Sequence, residues 1–208
     1  MWVKICGLTH VEGLDAALQG GADAVGFVFA PSVRRILPSQ AVMLAQAARG
    51  RAALVAVTMH PTQQQVDEII REFRPDVLQT DLGDFDRLAL PQTLARLPVV
   101  RGRHGNAVVP TRPLPARLLF EGERSGSGEL SDWQAAAQCA RACELVLAGG
   151  LHAGNVAAAI AAVRPFGVDV SSGVEDAPGR KSAEKIAHFI SVARNAFRSE
   201  SHGNRSVG

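Results

Sequence analysis

The chain has 208 residues, 47% hydrophobic and 20% charged, with 22 Lys+Arg against 20 Asp+Glu and a formal net charge of +2. That is apolar material for one well-filled globular domain, and a charge balance too even to hold nucleic acid by general attraction, so anion binding must be local. No apolar run approaches the roughly 20 residues of a membrane span, Met1–His10 lacks a signal-peptide pattern, and three cysteines cannot all pair, so a reducing cytoplasm is expected.

Short apolar segments alternate with helical ones along the whole chain. The first strand is expected over Trp2–Cys6, followed by a helix over Val11–Gln19 with Thr9 as N-cap and Gly20-Gly21 as its stop. Strands follow at Ala24–Phe29 and Ala53–Thr58, with a helix at Ser39–Ala48 between them. In Thr62–Arg74 the residues Val66, Ile69, Ile70 and Phe73 form one i, i+3, i+4, i+7 stripe, which predicts a helix. Strands four to six are expected at Val77–Gln79, Val99–Arg101 and Arg117–Glu121. Phe85–Leu97 has room for a short, weak helix, whereas Gly102–Ala116 lacks periodicity and reads as a loop in place of the helix after strand five. Helices at Ser131–Ala142, Ala153–Val163 and Ser182–Phe197 then frame strands at Leu145–Ala148 and Gly167–Val170. The polar segment Ser199–Gly208 reads as a disordered tail, leaving 1–198 as the domain.

The strands are short and apolar on both parities, as in parallel sheets buried on both faces. Eight of them in strict alternation favour a closed (βα)8 TIM barrel over an open doubly wound sheet. In a barrel the chemistry sits at the C-terminal strand ends, which turns the sequence into a test of which polar residues should converge.

Cys6 ends strand one. It is either a packed small apolar residue or a base or nucleophile whose thiolate needs nearby positive charge. Arg34 and Arg35 follow strand two, suited to a carboxylate or phosphate by the guanidinium fork, or else a solvated loop pair. Glu121 ends strand six and is available as a proton donor if burial raises its pKa. The Gly/Ser loop Gly122–Gly128 behind it can wrap an anion but fails as a dinucleotide fingerprint. Gly149-Gly150 after strand seven and Ser172-Gly173 after strand eight form the most specific physical signal: paired small residues there make the phosphate cup of this fold. Cys139 and Cys143 fall on one helical face and read as packing residues. None of the six histidines stands at a strand end with a partner, and no metal-ligand spacing occurs, so no metal is expected.

Four stretches together resemble the phosphoribosylanthranilate isomerase family: Lys4-Ile5-Cys6-Gly7-Leu8-Thr9, Gly26-Phe27-Val28-Phe29, Leu147-Ala148-Gly149-Gly150-Leu151 with Asn155-Val156, and Gly167 through Glu175. The resemblance covers residues 1–198 and implies a cofactor-free barrel performing an Amadori rearrangement on a phosphosugar in tryptophan biosynthesis. It implies Cys6 as general base, Glu121 as general acid, and Asp169 near the sugar hydroxyls. Lys4 and Arg34 are implied as substrate-binding residues, Arg34 facing the anthranilate carboxylate, with Gly149, Gly150, Ser172 and Gly173 at the phosphate. Three positions depart from the family pattern: Glu121 for an aspartate, Asp81 for a histidine after Gln79, and Val33 for a proline before Arg34. Two other readings stand beside it, a histidine-pathway type of phosphosugar isomerase and a phosphate-binding barrel that has lost its acid. The expected partner is a small phosphosugar, with no nucleic acid and no membrane, and the chain a monomer or homodimer.

Overall fold

In the computed structural model, which describes residues 1–102, 114–122, 128 and 130–203, eight parallel strands close into a barrel in chain order. They are β1 (Trp2–Cys6), β2 (Ala24–Val28), β3 (Ala53–Val57), β4 (Val77–Asp81), β5 (Ala95–Gly102), β6 (Arg117–Gly122), β7 (Glu144–Leu147) and β8 (Gly167–Val170). The ring is sealed by β1 on β8, with Lys4 opposite Asp169. Closure satisfies every strand edge, so the sheet needs no cover at its sides.

Six α-helices surround it among the described residues: α1 (Val11–Gln19), α2 (Pro38–Ala45), α3 (Gln63–Phe73), α4 (Trp133–Ala140), α5 (Val156–Val163) and α6 (Ala183–Gly203). Strand residues of one parity, such as Val3, Ile5, Val168 and Val170, pack against these helices. The other parity fills a smaller inner core of Leu97, Val99, Leu119, Val146 and Ala148. The α3 stripe is buried at Val66, Ile69 and Phe73, and Phe73 meets Phe27 and Phe29 edge-on at 5.2 and 5.4 Å. At the N-terminal face Arg194 of α6 donates to the carbonyls of Met1 and Gly21 and to Asp23, fastening the last helix to the first strands.

Several local expectations are corrected. His10, not Thr9, occupies the N-cap of α1, because the Thr9 hydroxyl is drawn away to the Gly179 carbonyl at 3.1 Å. A 3-10 turn, Leu82–Asp86, replaces a helix after β4, and β5 starts at Ala95. Cys143 lies beyond the end of α4, so the two cysteines do not share a helix; its thiol donates to the Cys139 carbonyl at 3.3 Å. Burial pushes both thiols up, Cys143 to about 11, with Cys139 and Glu144 adding to the rise. The final helix continues to Gly203, past the boundary at residue 198, because Arg198, Ser199 and Glu200 present no helix breaker. Residues 204–208 of the expected tail, 103–113 of the expected loop, and 123–127 of the Gly/Ser loop lie outside the described residues.

One element has no counterpart in the sequence reading. After β8, β9 (Glu175–Ala177) and β10 (Arg180–Lys181) form a small antiparallel hairpin, turned by Pro178 and Gly179 with φ +81° at the glycine. No helix among the described residues is long and apolar enough to cross a membrane.

Candidate active site

The pleat decides which side chains meet inside the ring. Since Val3 and Ile5 face the helices, Lys4 and Cys6 face inward; the same rule sends Asp169, Glu121 and Arg101 to the inner face. Cys6, Arg34, Arg101, Glu121, Gly149, Gly150, Asp169 and Ser172 all line one cavity of about 440 Å³ at the C-terminal ends of the strands. Lys4 and Gly173 support that lining from behind, one bonded to Asp169 and the other next to Ser172. β1 and β6 are three strands apart one way round the ring and five the other, so Cys6 and Glu121 approach the cavity from well-separated sectors.

Lys4 is fully buried, and its Nζ donates to Asp169 Oδ1 at 3.0 Å. Burial alone would strip its proton, but Asp169 and Cys6 outweigh that cost and its pKa ends above the ordinary lysine value. Burial pushes the Cys6 thiol up; Lys4 and Lys181 oppose the rise and Asp169 adds to it. The neighbourhood is tight. A Cβ on Gly26 would stand 3.0 Å from both Cys6 Sγ and Lys4 Cε, which explains the glycine in that strand.

Glu121 is 9% exposed and pairs with Arg101 at 3.1 Å. Arg101 in turn pairs with Asp81. The Asp81 carboxylate is therefore tied to a cation. Asp81 Oδ2 also lies 3.2 Å from His60 Nε2, while Asp84 accepts from Thr80, Arg87 and the His60 amide. Burial works against ionisation of Asp84, yet these donors hold its pKa down to about 2. His60 thus has partners beside a strand end, contrary to the expectation for all six histidines. The atoms of His60, Asp81 and Asp84 could together face a metal ion, all within 4.8 Å, but both carboxylates already carry arginines that a cation would displace.

The turns of small residues expected after β7 and β8 are present. Gly149 and Gly150 take φ values of +89° and +63°, a region costly for residues with a Cβ. Asn155 fixes that turn, donating to the Gly150 carbonyl at 2.9 Å and accepting from the His152 amide at 2.8 Å. A Cβ on Gly173 would stand 1.9 Å from the Leu151 carbonyl oxygen, so the loops after β7 and β8 meet backbone to backbone. Gly128, the described residue of the Gly/Ser loop that reaches the cavity lining, stands beside Ser172.

The adjacent arginines part company. Arg35 is exposed, whereas Arg34 is 9% exposed and donates Nε and Nη2 to the two oxygens of Glu175 at 2.7 and 2.9 Å. Burial disfavours the Glu175 charge, but Arg34 and Lys181 prevail and its pKa falls to about 2. Glu175, Lys181 and Arg101 were given no site role from sequence. Glu175 sat within a recognised motif, and Arg101 carried the signal of a basic strand end; Lys181 carried none.

The N-(5'phosphoribosyl)anthranilate (PRA) isomerase family matches residues 3–192. The chain belongs to that family. The N-(5'-phosphoribosyl)anthranilate isomerases of Brucella canis and Brucella suis are each 37% identical to it over 209 residues, 93% of this chain and 94% of theirs. The phosphoribosyl anthranilate isomerase structure from Thermus thermophilus superposes with a TM-score of 0.78 at 31% identity, covering 94% of this chain and 99% of that one. Another isomerase structure, in complex with reduced 1-(o-carboxyphenylamino)-1-deoxyribulose 5-phosphate, superposes at 0.76 with 28% identity and the same coverage. A further similar structure is of monomers generated from the dimeric phosphoribosylanthranilate isomerase of Thermotoga maritima. In this chain Glu121 is joined through Arg101 to Asp81, and Val33 is 69% exposed beside the buried Arg34.

Proposed function

We infer that the chain catalyses the Amadori rearrangement of N-(5-phosphoribosyl)anthranilate to 1-(2-carboxyphenylamino)-1-deoxyribulose 5-phosphate, an isomerisation of tryptophan biosynthesis. The observation that carries this reading is the shared cavity. Cys6 and Glu121 both line it, and so do the Gly149-Gly150 turn and Ser172. With its carboxyl protonated in place of the Arg101 pairing, Glu121 gives its proton to the furanose ring oxygen, the C1–O bond breaks, and the nitrogen lone pair forms the Schiff base. The Cys6 thiolate then takes the C2 proton, and the electron pair moves through C1 to nitrogen to give the enolamine, which tautomerises to the ketone.

Asp169 orients the sugar hydroxyls and anchors Lys4, whose charge favours the Cys6 thiolate over the thiol. The turns at Gly149, Gly150, Ser172 and Gly173 offer backbone amides to the 5'-phosphate, and Arg34 meets the anthranilate carboxylate. Each step moves a proton between this chain's own side chains and the substrate, so the reading calls on no cofactor. It makes the chain a cytoplasmic enzyme of a diffusible phosphosugar, acting as a monomer or homodimer. A histidine-pathway substrate is the nearest rival within the fold; a cysteine at the end of β1, where that relative carries an aspartate, favours the anthranilate.

The test follows the loss of anthranilate-type fluorescence from freshly made substrate. Cys6→Ser and Glu121→Gln should each lower kcat by roughly 100-fold or more, the usual worth of a positioned acid or base. Parental turnover in Glu121→Gln would remove that residue from the mechanism. Absence of turnover in the unmodified protein would leave a phosphate-binding barrel without activity.

A further inference from the structure

Arg34 is gripped by a carboxylate that takes no part in the proton transfers. Glu175 receives Arg34 Nε and Nη2, accepts from Lys181 Nζ at 2.7 Å, and accepts from the Gly179 amide at 3.3 Å. Lys181 has a side chain only 3% exposed, and it donates onward to the Ser171 carbonyl at 2.9 Å and to Ser171 Oγ at 3.3 Å. The Ser171 hydroxyl donates to the Cys6 carbonyl at 3.2 Å. Arg34 lines the cavity, while Glu175 and Lys181 lie outside its lining.

The chemistry of the guanidinium makes this arrangement specific. It has two edges that can each meet a carboxylate with paired N–H donors. Glu175 occupies the Nε/Nη2 edge, leaving the Nη1/Nη2 end for a second, incoming carboxylate. An arginine neutralised by glutamate alone would attract an anion weakly. With Lys181 added, the three side chains carry a net charge of +1 and keep that attraction. Gly7 sharpens the constraint, because a Cβ there would stand 2.6 Å from Arg34 Cδ, so the arginine stem lies directly over the turn after β1.

We propose that Glu175 and Lys181, delivered by the β9–β10 hairpin, are positioning residues that aim Arg34 at the aryl carboxylate and thereby set the preference for a carboxylate-bearing arylamine substrate. The proposal rests on the reaction and the Arg34 contact given above. It locates substrate choice in a hairpin of five strand residues that touches neither reacting atom.

The experiment compares N-(5-phosphoribosyl)anthranilate with its decarboxylated counterpart, N-(5-phosphoribosyl)aniline, in the unmodified protein and in Arg34→Met, Glu175→Gln, Glu175→Asp and Lys181→Met. In Glu175→Gln, KM for the anthranilate substrate should rise about 10- to 100-fold with kcat held within about threefold, since a misaligned charge-assisted contact loses uniform binding on that scale. KM for the aniline substrate should stay within about threefold, which also reports that the variant is folded. Lys181→Met should move the same ratio in the same direction, and Glu175→Asp should recover part of it. If Arg34→Met abolishes discrimination while Glu175→Gln keeps it, the positioning role is overturned and the Arg34 contact stands. If Glu175→Gln weakens both substrates in proportion, the residue is merely structural and the proposal falls. Unchanged discrimination in Arg34→Met would place the carboxylate elsewhere, and turnover of neither substrate by the unmodified protein would overturn the reaction itself; either result removes the proposal.

Discussion

Replacing Lys4 by methionine tests the charge arrangement beneath the cavity. Methionine keeps much of the apolar stem and deletes an ammonium that is fully buried and 3.0 Å from Asp169. The Asp169 side chain, 8% exposed, is then left with a charge and no lysine. Breaking one half of a buried pair typically costs about 3–5 kcal/mol, because the survivor is neither solvated nor compensated. For a domain of this size each kcal/mol lowers Tm by about 2–4 °C, so a fall of roughly 6–20 °C is expected. Lys4→Met combined with Asp169→Asn removes both charges and should recover most of that loss, as buried pairs are worth little against uncharged replacements. Calorimetry on the parent, the single variant and the double variant measures the difference. A second readout is the alkylation of Cys6 by iodoacetamide: without Lys4 the thiol pKa rises further, and the rate at pH 8 should drop. A single variant melting within about 2 °C of the parent, with unaltered alkylation, would refute the claim that Asp169 depends on Lys4.

Gly173→Ala would force a Cβ against the Leu151 carbonyl oxygen, 1.9 Å away on rigid backbone, so the loops after β7 and β8 must separate. A loss of roughly 1–3 kcal/mol in stability is expected, with a raised KM for phosphorylated substrate; parental KM and Tm together would contradict that packing. Acid titration probes Glu175 and Asp84, both held near a pKa of about 2. Because the folded values lie below the unfolded ones, the stabilisation is complete above about pH 4.5 and disappears as the pH falls toward 2. For Glu175, whose side chain is 5% exposed, it amounts to about 3 kcal/mol. Chemical denaturation at pH 6 and pH 3 should show a smaller decline in Glu175→Gln than in the parent, and equal declines would exclude that origin.

The barrel was legible because parallel strands buried on both faces are largely apolar on both parities, and β1 to β8 are short runs of that kind interrupted by a few polar residues such as Lys4 and Asp169. Cys6 was legible from its place at the end of β1, and the paired small residues after β7 and β8 from their place at strand ends. What escaped was the choice of partners by long side chains. Glu175 and Lys181 meet through a hairpin of three and two residues, too short to show any periodicity. His60 joins Asp81 and Asp84 across separate loops, a convergence that no local pattern encodes. Arg34 and Arg35 look equivalent in the chain, yet Arg34 is buried against Glu175 and Arg35 is exposed. Thr9 had the chemistry of a cap, but its hydroxyl donates instead to the Gly179 carbonyl in the hairpin turn. Local propensity lost there to tertiary competition.

The seam between β1 and β8 also sets a timetable. Lys4 and Asp169 are separated by 165 positions along the polypeptide. At ribosomal speeds of roughly 5–20 residues per second, the opening strand waits about 10–30 s before its mate is even synthesised. No nascent barrel lacking β8 can give the Lys4 ammonium its Asp169 partner, so the charge at the heart of the ring is neutralised late, when the circle is finally complete.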